Sequence, residues 1–285
     1  MDRHPVVAGQ FYPGSPQALE AQVRAYLDLA APGAPAGTGK PAADAAPPEP
    51  ALLAMTPHAG YVFSGPVAGV TLAAAAPHPT VLLLGPNHTG RGAPMALWPD
   101  GGWLIPGGRV PVDEELAGAL LATVPGFGAD HAAHLGEHSL EVVLPFLRAL
   151  NPATTFVPVA VAVHRLDALL AAGEAVAGVL QDRRDQGRPV SIVVSSDMNH
   201  FADDATTRDL DALALERVLA LDATGLLRVV RERGITMCGV LPMTLALTAA
   251  VRLGAQRAEV VAYDTSARAS GDASRVVGYA GVVVR

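Results

Sequence analysis

Residues 190–201 read VSIVVSSDMNHF, a short apolar run that breaks into a polar turn ending on a histidine. The run is rich in β-branched residues and too short for a helical period to develop, so it reads as a buried strand. The pattern recurs twice upstream. Residues 51–61, ALLAMTPHAGY, pass from an apolar stretch into a turn carrying His58, and residues 80–88, TVLLLGPNH, end on His88.

Working outward, apolar runs stand at 51–55, 80–84, 155–163, 190–195, 258–263 and 276–284. Helix-like segments lie at 64–76, 113–122, 137–150, 166–184, 206–220 and 239–253. This alternation predicts an α/β fold with a mixed, largely parallel central sheet flanked by helices. The run at 276–284 is expected to be a terminal strand that pairs antiparallel. Residues 31–50, APGAPAGTGKPAADAAPPEP, have too little apolar surface to offset the entropy of ordering. They read as a flexible surface loop within one domain spanning 1–285.

Half of the 285 residues are apolar, 16% are charged, and the formal net charge is −7. The longest basic run is the pair Arg183–Arg184, which argues against a nucleic-acid footprint. No polybasic amphipathic stretch favours a membrane surface, and no run reaches the roughly 18 apolar residues that a bilayer span needs. The opening MDRHPVVAGQFYPG lacks the apolar core of a signal peptide. A single cysteine cannot form an internal disulfide. The expectation is a soluble, cytoplasmic protein.

In open α/β sheets ligands bind beyond the carboxyl ends of the strands. His58, His88 and His200 all stand there, in turns that Pro57, Gly60, Gly85 and Pro86 stiffen around the first two. One such histidine would read as an exposed loop residue; three predict a shared, metal-binding pocket. Cys238, in Thr236-Met237-Cys238-Gly239, precedes the apolar segment VLPMTLALTAAVRL. At a helix N-terminus its thiolate would be favoured and would make a soft ligand, although a lone cysteine also packs as a small apolar residue. Asp197, three residues before His200, reads as an orienting or proton-handling carboxylate, or as a turn and cap residue.

Other patterns are weaker. Glu137-His138-Ser139-Leu140-Glu141 reads as the charged first turn of the segment EVVLPFLRAL, and His131, His134 and His138 read as a surface loop. The glycine pairs lie outside any strand–GxGxxG–helix context, no P-loop is present, and Ser195-Ser196 lacks the G-x-S-x-G elbow of a hydrolase.

Taken in order, AGQFYP, TPHAGYVFSG, LLGPNH, EHSLEVVLPFL, VVSSDMNHF, TMCG and the C-terminal GYAG resemble the Memo family over nearly the whole chain. They look most like its bacterial branch, known as AmmeMemoRadiSam system protein B. The resemblance implies a fold similar to the class III extradiol dioxygenases of the LigB type. Those enzymes hold Fe(II) with two histidines and a carboxylate. Carried over, His58, His88 and Cys238 become metal ligands, while His200 and Asp197 take the acid/base side. Cysteine in place of the carboxylate softens the site, so copper and zinc stand beside Fe(II).

Two functional classes follow from the resemblance. One is a dioxygenase-like oxidoreductase acting on a small aromatic substrate. The other is a non-catalytic metal- or peptide-binding protein that works with radical-SAM and AMMECR-type partners. The residues alone do not choose between them.

Overall fold

The computed structural model describes residues 1–30 and 49–285, so the loop expected at 31–50 lies outside the described residues except for its last two. The chain opens with strand β1 (Asp2–Arg3) and helix α1 (Pro16–Leu27). Ser15 starts α1 by accepting a bond from the Ala18 amide, and Pro16 occupies the first helical turn, where its missing N–H is no loss. The first long βα unit is β2 (Leu53–Thr56) and α2 (Tyr61–Ala75), followed by β3 (Thr80–Pro86).

A small excursion comes next: β4 (Met95–Leu97), β5 (Gly102–Ile105) and β6 (Gly108–Pro111). After it come α3 (Glu114–Thr123), β7 (Gly128–Ala129), α4 (Leu144–Leu150) and β8 (Thr155–Val161). The last third holds α5 (Leu166–Asp185), β9 (Val190–Ser195), β10 (His200–Ala202) and the helices α6 (Asp204–Leu219), α7 (Ala223–Arg233) and α8 (Val240–Arg252). It closes with β11 (Ala258–Thr265), the short α9 (Ala267–Ser270) and β12 (Val276–Val284).

The main sheet runs β10-β12-β2-β9-β3-β8-β4-β7, with β11 also paired to β12. Its centre is parallel: β2 on β9, β9 on β3, and β3 on β8. β12 pairs antiparallel with β2, β10 and β11, as expected of the terminal run. The sheet is thus mixed, and helices cover it: α2 packs on β2, β11 and β12, while α8 packs on β2, β3, β8 and β9. Strands buried this completely carry unbroken apolar runs, because neither face meets water. Val81 to Leu84 are all fully buried, each contributing about 1.5–3 kcal/mol through burial.

Two expectations change. The segment 137–150 is not one helix: a 3-10 turn at Glu141–Val143 leads into α4, which begins at Leu144 with Pro145 in its first turn. Proline lacks the amide that a continuing helix would need and is tolerated only near a start. α7, between the expected helices, is set by Asp222, whose side chain accepts from the Gly225 amide, and by Gly234, whose φ of 63° closes it. Its Leu226, Leu227 and Val230 are buried, while several of its arginines face solvent.

The parallel order has one consequence for function. β2, β9 and β3 are neighbours, with Thr56 opposite Ser195 and Leu84 opposite Val194. The turns after all three strands, which carry His58, Asp197 and His88, therefore leave the sheet side by side.

A buried ion pair ties the N-terminus to this end of the molecule. Arg3 is almost fully buried, and its Nη1 donates to Glu141 Oε2 at 2.8 Å. Its Nε donates to the His134 carbonyl and its Nη2 to the Glu137 carbonyl. Glu141 also accepts from the Val6 and Val7 amides and from the Tyr12 hydroxyl at 2.6 Å. The Trp103 ring lies 4.1 Å from the guanidinium. Glu137, His134 and Glu141 are all fully buried, so His134 does not share the surface expected of this loop, and the turn at Glu137–Glu141 is not the solvated first turn of a helix.

Candidate metal centre

His58 is buried at the end of β2, with its amide donating to Asp197 Oδ1 at 2.8 Å. Its Nδ1 lies 2.8 Å from Ser195 Oγ, whose hydroxyl donates to the Ser139 carbonyl; the hydroxyl oxygen therefore accepts, and Nδ1 carries the proton. That tautomer leaves Nε2 with a free lone pair. Nε2 faces Cys238 Sγ at 3.4 Å. Burial, partly opposed by the Asp197 carboxylate, pushes His58 down to about 4, so the ring is neutral near pH 7.

His88 is held differently. Glu137 grips it twice, accepting from the His88 amide and sitting 2.9 Å from Nδ1. The same carboxylate accepts from the His138 and Ser139 amides. Burial disfavours charge on His88, but the hydrogen bond and charge of Glu137 outweigh it and raise the ring's pKa. For Glu137 burial works upward, but His88 and the amide donors prevail and hold the carboxyl down to about 2. With Nδ1 engaged, Nε2 is the nitrogen left to bind something else. A carboxylate behind an imidazole is the usual support of a metal-binding histidine.

Cys238 sits just before α8, whose N-cap is Gly239. The Asp197 amide donates to its Sγ at 3.2 Å, and the Gly239 amide donates to Ser196 Oγ at 3.0 Å. No Cβ fits at Gly239: it would lie 2.3 Å from the Ser196 side chain. The two loops are thus zipped together. The helix N-terminus was expected to favour thiolate, but burial and then the nearby Asp197 charge push the thiol well above its ordinary range. A cation at the site would reverse that balance.

One donor atom from each of His58, His88 and Cys238 lies within 4.8 Å of the other two. The three come from the ends of β2 and β3 and the start of α8, so the fold makes the cluster. Asp197 joins it, with Oδ2 4.0 Å from His58 Nε2. Glu137 and Asp197 have no Arg or Lys partner among the described residues; their ion-pair partners there are histidines. Among the described residues, the Asp197 carboxylate and the thiol beside His58, and the Glu137 carboxylate behind His88, thus have no permanent cation paired with them.

His200 is placed elsewhere. Its amide donates to Thr236 Oγ1 at 2.7 Å, and its Nδ1 lies 3.0 Å from the Thr236 carbonyl. Among the described residues, no hydrogen bond or ring contact joins it to His58, His88 or Cys238. The histidine that does approach is His138, stacked on His88 at 5.0 Å between centroids and 5.6 Å from His58. Burial lowers its pKa, and the Phe11 ring meets it edge-on at 4.9 Å. The sequence reading missed both His138 and Glu137 as site residues. The available signal was Pro145 and the apolar run after them, which argue against a solvated first helical turn.

The Memo family model, described as Memo-like protein, matches residues 3–283. A MEMO1 family protein of Methanopyrus kandleri is 39% identical over 289 residues, covering 100% of this chain and 99% of its own length. Another, from Sulfurisphaera tokodaii, is 37% identical and covers 99% of each chain. Among solved structures, the uncharacterized protein JW3007 from Escherichia coli K12 aligns with a TM-score of 0.52 at 12% identity. It covers 80% of this chain and 98% of that one, a likeness of fold that agrees with the LigB-type architecture. Among the described residues, no helix is long and apolar enough to cross a membrane. The chain belongs to the Memo family.

Proposed function

We propose that this Memo-family protein binds one metal ion through His58, His88 and Cys238, with Fe(II) as the first choice and copper or zinc as alternatives. The observation that carries this is the convergence of the three donor atoms, with Nδ1 of both histidines already engaged by Ser195 and Glu137. Two imidazoles and one thiolate make a set of mixed softness that suits iron, copper and zinc. Three protein ligands leave coordination positions open. The carboxylates of Glu137 and Asp197 and the buried thiol gain the cation they lack.

The metal would supply Lewis acidity and, if iron or copper, electron transfer. The protein residues have separate tasks. Glu137 orients His88, and Ser195 orients His58. Asp197 and His138 line the same space and are placed to hold or move a proton, with His138 neutral near pH 7. His200 shares this task only if its Nε2, the nitrogen not facing Thr236, reaches the bound substrate. This arrangement supports a dioxygenase-like oxidoreductase acting on a small aromatic substrate. The expected result is oxygen uptake with a member of a catechol panel after anaerobic loading with Fe(II). No uptake across the panel by protein with measured bound iron would rule out ring cleavage.

A second reading has an observation of its own. Val62 and Phe63, directly after the His58 turn, are 63% and 39% exposed. Exposed apolar residues beside a site suit a peptide or protein partner. On this reading the chain is a non-catalytic metal-binding partner of radical-SAM and AMMECR-type proteins, and metal binds without turnover.

A further inference from the structure

Beside the candidate centre lies a cavity of about 360 Å³. Its walls are Leu227, Val230, Ile235, Met237, Val240 and Leu241, and its remaining lining includes Cys238, His164 and Arg231. Cys238 is thus common to the cavity and to the metal cluster. The position follows from the topology. His164 stands three residues past the end of β8, the parallel neighbour of β3, so the cavity opens at the same carboxyl end of the sheet as His88.

The wall chemistry is one-sided. Leu227, Val230, Ile235, Met237 and Leu241 border the opening while remaining largely buried, so its floor is apolar. Arg231 is exposed and donates to the His164 carbonyl, and among the described residues it has no carboxylate partner. Around it α7 ends in a basic stretch, Arg228, Arg231 and Arg233 against Glu232. In a chain of net charge −7, this is a local positive field at the mouth of an apolar hollow.

We infer that this cavity binds a small molecule with an apolar body and a terminal carboxylate, the body against Leu227, Val230 and Met237 and the carboxylate on Arg231. The apolar body gains by leaving water, and the guanidinium offers the planar donor pair that a carboxylate matches. A cavity of this size lies at the small end of ligand sites. The inference rests on the proposed metal function only in giving the ligand a metal neighbour at Cys238. The cavity itself belongs to the metal-free chain.

The test is calorimetric titration of the full chain with 3-phenylpropionate and with its neutral counterpart 3-phenylpropanol, with and without Co(II). The carboxylate should bind the metal-free protein about threefold or more tightly than the alcohol, as a solvent-exposed ion pair predicts. Arg231→Gln should remove that preference and leave the alcohol unchanged. In Co(II)-loaded protein, the carboxylate should also shift the thiolate-to-cobalt absorption. Equal affinity for acid and alcohol in the unaltered protein, or no binding of either, would overturn the inference without any variant. Failure of Co(II) uptake would count against the metal reading alone, because the metal-free titration still decides the cavity.

Discussion

Two buried polar clusters share the segment 134–141, and they are built on opposite principles. On one side Arg3 brings its own positive charge into the fold, and its three guanidinium nitrogens and both Glu141 oxygens have partners. On the other side Glu137 and Asp197 stand with Cys238 and the histidines, and among the described residues no Arg or Lys pairs with either carboxylate. The first cluster is complete without any ligand. The second orients its donors from behind and leaves their free atoms facing one another. The fold buries and pairs a guanidinium a few residues away, yet among the described residues it places none where the donors of His58, His88 and Cys238 meet.

The contrast can be broken at several points. The largest effect belongs to the open cluster: His58→Ala should abolish stoichiometric metal uptake, measured by elemental analysis after loading, while the metal-free chain still folds. Retained uptake would place the ion elsewhere. Next comes the closed cluster. Glu141→Gln leaves the Arg3 charge buried without its counter-ion and should cost about 3–5 kcal/mol of stability in urea unfolding. A loss below about 1 kcal/mol would mean that the pair does not tie down the N-terminus.

Glu137 links the two clusters and should show a smaller, divided effect. Glu137→Gln keeps its shape but weakens its hold on His88, and metal affinity should fall about 10–100-fold in competition with a chelator. An unchanged affinity would separate His88 from the site.

The smallest effect is one of pH. Burial lowers His134 to about 4, against 6.5 for an exposed histidine, so the native state disfavours its protonated form. Its contribution to stability is present above pH 6.5 and is lost as pH falls toward about 4. His134→Gln in the metal-free chain should flatten that acid slope. An unaltered slope would show that other groups set it.

Much of this architecture is written locally. β2, β3 and β9 are short apolar runs buried along their length, and the turns at their carboxyl ends carry His58, His88 and Asp197 within a few residues. Their convergence depends on neighbouring parallel strands, which the alternation of strands and helices already implies. What stayed hidden is non-local. Glu137 and Glu141 look like solvated charges until Arg3, more than 130 residues earlier in the chain, and the His88 turn are folded against them. His138 then enters the site in the same irregular segment. The reverse holds at His200. A β-bulge between His200 and Ala202, with Phe201 at φ 69°, re-aims that segment, and Thr236 ties down the ring. Motif order marked the residue but could not give its direction.

The claim on which the account turns is that Cys238 and two histidines share one ion. The most direct test is the absorption spectrum of the full chain loaded with one equivalent of Co(II), recorded beside Cys238→Ala. The unaltered protein should show an intense thiolate-to-cobalt charge-transfer band, which the variant loses. Tightly bound cobalt without that band, or with a band that survives in Cys238→Ala, would contradict that claim.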